Sequence, residues 1–274
     1  MYRKKYSLYG LAMLTALMMT GCAATREKFE SIKTRFREPV GPAVLVAQYT
    51  ENPVTVDGIL DDPVWIKSAV YNLTLSSADR LALKKKDRSP GADRLKEGGE
   101  ARLAWDENYL YVGIKFYDSD IVQESDENQQ HFYASGDLVE IFIKPENSSW
   151  YWEIYGTPNE KKTVFWFPGR GRLGLKSGFE PGMNLDDVLV GAQVKGTLNN
   201  WEDVDEYWTA EMAIPVKGLI AHGDAFGPGT GWRILVARYN FSRYLTWKEL
   251  SMVPQLSVTN YHLIEEFGIL DFAK

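Results

Sequence analysis

Residues 101–118 read ARLAWDENYLYVGIKFYD, and residues 136–155 read GDLVEIFIKPENSSWYWEIY. Both stretches alternate. Leu110, Val112, Ile114 and Phe116 fall on one side, and Tyr109, Tyr111, Gly113, Lys115 and Tyr117 on the other. A period of two marks a strand, because successive Cβ atoms leave opposite faces of the pleat. Asp106-Glu107-Asn108 is a turn cluster, so Arg102–Trp105 reads as the hairpin partner. In the second stretch Val139, Ile141 and Ile143 share one face, and Leu138, Glu140 and Phe142 the other. After the Pro145–Ser149 turn, Trp150, Trp152 and Ile154 alternate with Tyr151, Glu153 and Tyr155. One apolar and one polar face is the pattern of antiparallel sheets with one solvated side. Here that side is rich in tyrosine and carries two acids.

Outward from this centre the pattern repeats. Ala43–Tyr49, Val70–Leu75, Thr163–Phe167, Val188–Gly196, Tyr207–Ile214, Gly231–Phe241 and Phe267–Phe272 read as further strands. Trp208, Ala210, Met212 and Ile214 point inward on one, and Trp232, Ile234 and Val236 on another. Asp62-Pro63 opens a single helical turn that packs Trp65 inward, and Pro215–Leu219 makes a helical corner. Residues 79–100 read as a charged, solvated insertion, 168–184 as a Gly/Pro-rich loop and 250–266 as a loop. Many short strands with frequent turns predict an all-β protein, an antiparallel β-sandwich of jelly-roll or immunoglobulin-like kind, with short helical turns only.

The first 22 residues are of another kind. Arg3, Lys4 and Lys5 precede an apolar run from Leu8 to Met19, too short to span a bilayer. Met19-Thr20-Gly21-Cys22 resembles a bacterial lipobox, with Met where Leu is usual. Cys22 is the only cysteine. The expectation is a lipoprotein signal peptide over 1–22, lipidation at Cys22, a tether over 23–42 and one domain over 43–274. The alternative is plain cleavable secretion. Ala23 after the cysteine points to the outer membrane of a bacterial cell envelope. With no second cysteine, the core must hold the fold without a disulfide. The net charge of -6 leaves no basic footprint, which argues against nucleic acid.

Several short stretches carry a resemblance in their order and spacing. They are Val56-Asp57-Gly58 with Trp65, Leu103–Val112, Asp137–Phe142, Trp208–Pro215, Gly231-Trp232-Arg233 and Phe267–Leu270. Over nearly all of residues 50–272 the chain resembles a family 9 carbohydrate-binding module, in a lipoprotein branch. The resemblance implies a non-catalytic β-sandwich that binds polysaccharide or oligosaccharide, with calcium in some members. It implies an aromatic clamp at Tyr133, with Phe132 as the alternate, and at Tyr261, both usually Trp. It implies a hydroxyl-binding acid at Glu140. The family's Arg falls on Glu153, a departure, and Arg238 is the candidate replacement donor. His131 and His262 adjoin the clamp tyrosines, which makes His262 a candidate hydrogen-bond partner. The chemistry agrees: an aromatic plate takes the apolar face of a pyranose, and charged groups take its hydroxyl rim.

The same residues admit other readings. Asp137 and Glu140 tempt as a glycosidase pair, but positions three apart on a strand point to opposite faces, about 10 Å apart. A hydrolase wants its carboxyls about 5–9 Å apart across one cleft. Glu140 with Glu153 is geometrically possible, yet nothing in the sequence marks an acid of raised pKa. A haem site would draw on Met183, Met252 and Lys248, with no Cys-x-x-Cys-His present. Asp118, Asp120, Glu124, Asp126 and Glu127 offer oxygens suited to structural Ca²⁺. A structural or interaction lipoprotein that kept the fold and lost the sugar is the remaining class.

Overall fold

In the computed structural model, which describes residues 42–169 and 183–274, twelve strands form one continuous sheet. In chain order these are β1 (Val44–Tyr49), β2 (Tyr71–Asn72), β3 (Gly99–Trp105), β4 (Tyr109–Tyr117), β5 (Leu138–Pro145) and β6 (Tyr151–Gly156). Then follow β7 (Lys162–Phe167), β8 (Leu189–Lys195), β9 (Tyr207–Pro215), β10 (Trp232–Asn240), β11 (Glu249–Val253) and β12 (Gly268–Ala273). The helices are α1 (Pro63–Lys67), α2 (Ser77–Lys86) and α3 (Val216–Leu219). The strand path is β7-β6-β5-β10-β12-β1-β3-β4-β9-β8, with β11 on β10 and β2 on β3.

The sheet doubles over its middle strands, so its two halves face each other. The inward residues of β4 (Leu110, Val112, Ile114, Phe116), of β5 (Val139, Ile141, Ile143) and of β9 (Trp208, Ala210, Met212, Ile214) share one buried cluster. Contacts cross between the halves: a Cβ added at Gly156 on β6 would lie 3.0 Å from the Met212 sulfur on β9. The alternation in the sequence therefore marks the inner layer of a sandwich. The fold is mostly β, as the sequence predicts.

Four features depart from the expectation. First, β1 runs parallel to both β12 and β3, so the sandwich is not wholly antiparallel. Second, the charged 79–100 stretch begins with a ten-residue helix rather than a wet loop, longer than a helical turn. Ser76 caps it by accepting from the Asp79 amide, and Lys84–Lys86 complement its C-terminal dipole. Arg80 and Lys84, one turn apart, both reach Asp93, at 2.8 and 2.9 Å. Third, Glu249–Val253 is strand β11, paired with β10, and the loop follows it. Fourth, the Val70–Leu75 strand shrinks to two residues and a bridge from Thr74 to Met252. The signal peptide, Cys22, the tether up to residue 41 and residues 170–182 of the long loop lie outside the described residues.

Loops at one end of the sandwich are fixed by buried acids. Asp137 accepts from the backbone amides of Val122 and Phe241, at 2.8 and 2.7 Å. Asp205 accepts from Ile121 and Thr197, both at 2.7 Å. Burial and the nearby Asp118 raise the Asp137 carboxyl well above its usual range. Asp137 therefore ties loops together and does not face Glu140, as the strand geometry requires.

Candidate functional site

The outer face of β7-β6-β5-β10 is where the predicted residues gather. Its rows follow from register. Ala237, Glu140, Tyr155 and Thr163 lie side by side across the four strands. The next row is Leu235, Phe142, Glu153 and Phe165. Tyr151 lies beyond, opposite Phe167 on β7. Glu140, Tyr151, Glu153 and Tyr155 thus share one face, as the alternation predicts.

That face is covered, not solvated, which corrects the reading of a wet side. Glu140 is 2% exposed, Glu153 4% and Tyr155 0%. The cover is apolar: Leu256, Tyr261 and Phe267 on one side, and Phe132 on the other. The period-two signal distinguishes faces of a strand, but not solvent from a second layer of loops.

The acids respond to this burial. Desolvation first, then the charge of Glu153, holds the Glu140 carboxyl well above its usual range. Desolvation pushes Glu153 up to about 7, opposed by the hydrogen bond that Tyr155 donates to it. Only one Glu153 oxygen is satisfied in this way; Oε2 is buried without a hydrogen-bond partner. It lies 4.0 Å from Nδ1 of His262, whose side chain is 37% exposed. The same Nδ1 is 2.7 Å from the Tyr151 hydroxyl. His262 therefore stands between solvent and an unsatisfied buried acceptor.

The clamp positions do not behave alike. Tyr133, on a 3₁₀ turn over Phe132–Ala134, is 36% exposed and available to stack. Its alternate, Phe132, is fully buried against Tyr155. Tyr261 is 5% exposed, and its hydroxyl donates to the carbonyls of Arg238 and Ser251. It is a core residue, not an open plate. Tyr239 touches both clamp positions, with ring centroids 5.9 Å from Tyr133 and 5.7 Å from Tyr261.

Arg238 is on the wrong face. It shares the phase of Trp232, Ile234 and Val236, and so points into the sandwich. There it donates to Asp118 at 2.9 Å and to the Gly98 carbonyl at 3.1 Å, over the ring of Phe116. Lys248, not Arg238, brings a cation to this face, a placement the sequence reading did not make. Its ammonium donates to the Tyr133 carbonyl at 3.2 Å, lies 4.8 Å from the centre of the Tyr239 ring, and draws on the charge of Glu140. Tyr239 was also missed. Its phase with Leu235 and Ala237 on β10 carried the signal; Lys248 had none, since only the folded chain brings it to Tyr133.

The other ligand candidates are engaged in packing. Met183 lies in the inner core and Met252 in the outer cluster, so the two do not frame a haem. Asp118 is paired with Arg238, and Asp120 with Arg243 at 2.6 Å. Among the described residues, no three His, Cys, Asp or Glu side chains are grouped to hold a metal ion. His131 stacks on Phe165 and His262 packs edge-on against Phe167, so both line the β7 side of the face. His222 packs among Trp150, Trp152 and Trp166.

The comparisons with known proteins bear on this face. The model of the carbohydrate family 9 binding domain-like family matches residues 56–228. The chain belongs to that family. Among solved structures, a family 9 module of Caldicellulosiruptor kristjanssonii in complex with cellotriose aligns at 16% identity and a TM-score of 0.54, over 84% of this chain and 93% of its own. Its complex with glucose gives the same identity and TM-score, over 84% and 95%. A Bacteroides uniformis protein with a provisional description as carbohydrate-binding aligns at 13% identity and a TM-score of 0.60, over 85% and 100%. At these identities the likeness is one of fold. No curated protein matches. The family is one of non-catalytic carbohydrate-binding modules.

Proposed function

We propose that this protein is a lipid-anchored carbohydrate-binding protein of the bacterial cell envelope, attached through Cys22 and serving glycan degradation. The observation that carries the binding reading is the buried Glu153 carboxylate. One of its oxygens lacks a partner, and it lies beneath a half-exposed histidine and beside the aromatic rings of the outer face. A buried acceptor left unsatisfied costs about 1–3 kcal/mol, and a sugar hydroxyl donating to it recovers that cost. Tyr133 supplies the plate for the apolar sugar face, and Lys248 and His262 supply donors at the rim. The relatives with solved structures include family 9 modules in complex with cellotriose and glucose, which supports a neutral oligosaccharide as ligand. A ring that stacks and a carboxylate that accepts hold a sugar without cleaving it.

The test is calorimetry of the full chain against a panel of neutral oligosaccharides, with Tyr133→Ala and His262→Ala beside it. Binding that weakens in both variants supports the assignment. Binding unchanged in both rejects it. A second reading, a lipoprotein that keeps the fold and has lost the sugar, is favoured by the burial of Tyr261 and by the contact of Tyr239 with both clamp tyrosines. It predicts no glycan binding at all and a protein partner on pull-down from envelope extract.

A further inference from the structure

The opposite half of the sandwich has its own concavity, remote from the acid pair. The outer face of β3-β4-β9-β8 is covered in part by the segment after β1, which packs Val54, Val64 and Trp65 on Ala104, Tyr111 and Ala213. Register sets Glu100, Lys115, Thr209 and Gln193 side by side across it. The adjacent row is Arg102, Gly113, Glu211 and Gly191. The two glycines in that row let the segment after β1 lie directly on the sheet. A Cβ at Gly113 would come within 2.9 Å of Leu60 and 3.2 Å of Trp65, and one at Gly191 within 2.6 Å of the Val56 carbonyl. Glu211 anchors the segment by accepting from the Trp65 indole at 2.7 Å and from the Asp57 and Gly58 amides, both at 3.0 Å. The segment becomes a wall, and beside it runs an open groove of about 560 Å³.

The lining of this groove is opposite in charge to the chain as a whole. The sequence has 37 acidic and 31 basic residues. Yet Arg102, Lys115 and Lys195 line the groove, and no Asp or Glu does. Glu100, outside the lining, pairs with Arg102 at 3.1 Å and offsets one of the three cations. Lys115 stands at the centre, its ammonium 4.0 Å from the middle of the Tyr207 ring and 5.3 Å from that of Tyr117. The wall adds apolar surface: Ile59 is 47% exposed and Ile66 83%. An open trough with cations held over a tyrosine and with apolar edges suits a chain of sugar rings that carry acids. A compact phosphate would not use the edges.

We propose that this groove is a second ligand site, for an acidic glycan whose carboxylates or sulfates pair with Lys115 and Lys195 while a sugar ring lies against the exposed edge of Ile59 and Ile66. The argument does not use the acid-pair face, and the two sites select ligands of different charge. A protein with both would hold neutral and acidic stretches of one cell-wall material at once, and linked sites raise avidity without new contacts.

The experiment titrates the full chain in detergent with an oligogalacturonate, a sulfated oligosaccharide and cellotriose. Binding of at least one acidic ligand is expected, weakening as salt rises from about 0.05 to about 0.5 M. Lys115→Gln combined with Lys195→Gln should weaken it by about tenfold or more, a change that corresponds to about 1.4 kcal/mol. Lys115→Arg with Lys195→Arg, which keep the charge, should restore most of it. The response to cellotriose should be the same in all three proteins. The preferred acidic ligand tells carboxylate from sulfate. Failure of both acidic ligands to bind, or binding that survives the double Gln variant, overturns the site. Loss of cellotriose binding alone counts against the acid-pair face and not against this groove.

Discussion

Replacing Glu153 by Gln should make the protein more stable and the acid-pair face a poorer binder. Burial raises this carboxyl from 4.5 to about 7. A group whose protonated form is favoured on folding binds more proton in the folded than in the unfolded chain between those two values. Stability therefore falls as pH rises through that window, and the loss is complete above about pH 7. A shift of that size corresponds to about 3 kcal/mol, at about 1.4 kcal/mol for each unit. Gln keeps an oxygen to accept from Tyr155, but a neutral acceptor is weaker by about 1 kcal/mol. It also removes the like charge that raises Glu140. The net expectation is a gain of about 2 kcal/mol at pH 8 and almost none at pH 4.

The assay is urea unfolding of the full chain and of Glu153→Gln at both pH values, which cancels every group the two share. A gain at pH 8 corresponds to a rise of about 4–8 °C in Tm. Neutral oligosaccharide affinity should fall by about tenfold or more as the charged acceptor is lost. Opposite signs on stability and binding are the signature of a polar group kept at a cost for function. A variant that is less stable by the same amount at both pH values would refute the reasoning, because it would mean Glu153 is ionised without penalty in the fold.

Three further outcomes are expected. Glu211→Ala removes the acceptor for three donors, two of them buried, and should cost about 3 kcal/mol or more in chemical denaturation. Asp118→Ala leaves Arg238 buried without its partner, at side-chain exposures of 1% and 0% for the pair. A loss of about 3–5 kcal/mol is expected, while Arg238→Met with Asp118→Leu should recover much of it. Tyr133→Ala should weaken sugar binding with little change in Tm, whereas Tyr261→Ala should lower stability by about 3–5 kcal/mol, because a buried ring leaves a cavity.

The inner layer was legible because it is a one-dimensional signal. Val112 and Ile114, or Trp232 and Ile234, alternate with their neighbours, and burial follows. The same rule, carried two residues further along β10, already places Arg238 inside with Trp232, Ile234 and Val236. Its assignment to the binding face set that phase aside. What the pattern could not show was the second cover. Glu140 and Glu153 sit among tyrosines that look like surface, yet Leu256, Tyr261 and Phe267, about a hundred residues later in the chain, close over them. The α2 helix was hidden for a related reason. Its interior is buried nowhere, so there was no apolar stripe to read, and only the Ser76 cap and the Arg80 and Lys84 pairing with Asp93 announced it.

The burial of Tyr261 changes what the family likeness can carry. A clamp needs two rings with open space between them, and here one ring is spent on holding the β10–β11 pair through the Arg238 and Ser251 carbonyls. The Arg238 guanidinium is in the core with Asp118, and the ammonium of Lys248 lies over Tyr239. Arg238 and Tyr239 are neighbours on one strand and must face opposite ways. A single strand thus fixes both the buried ion pair and the ring that touches both clamp positions. On the proposed reading, a sugar on this face would work from one plate, Tyr133, and from the buried acid below His262. A one-plate site would grip a sugar less than a sandwich does, which gives the proposed charged groove on the other half of the fold more of the work.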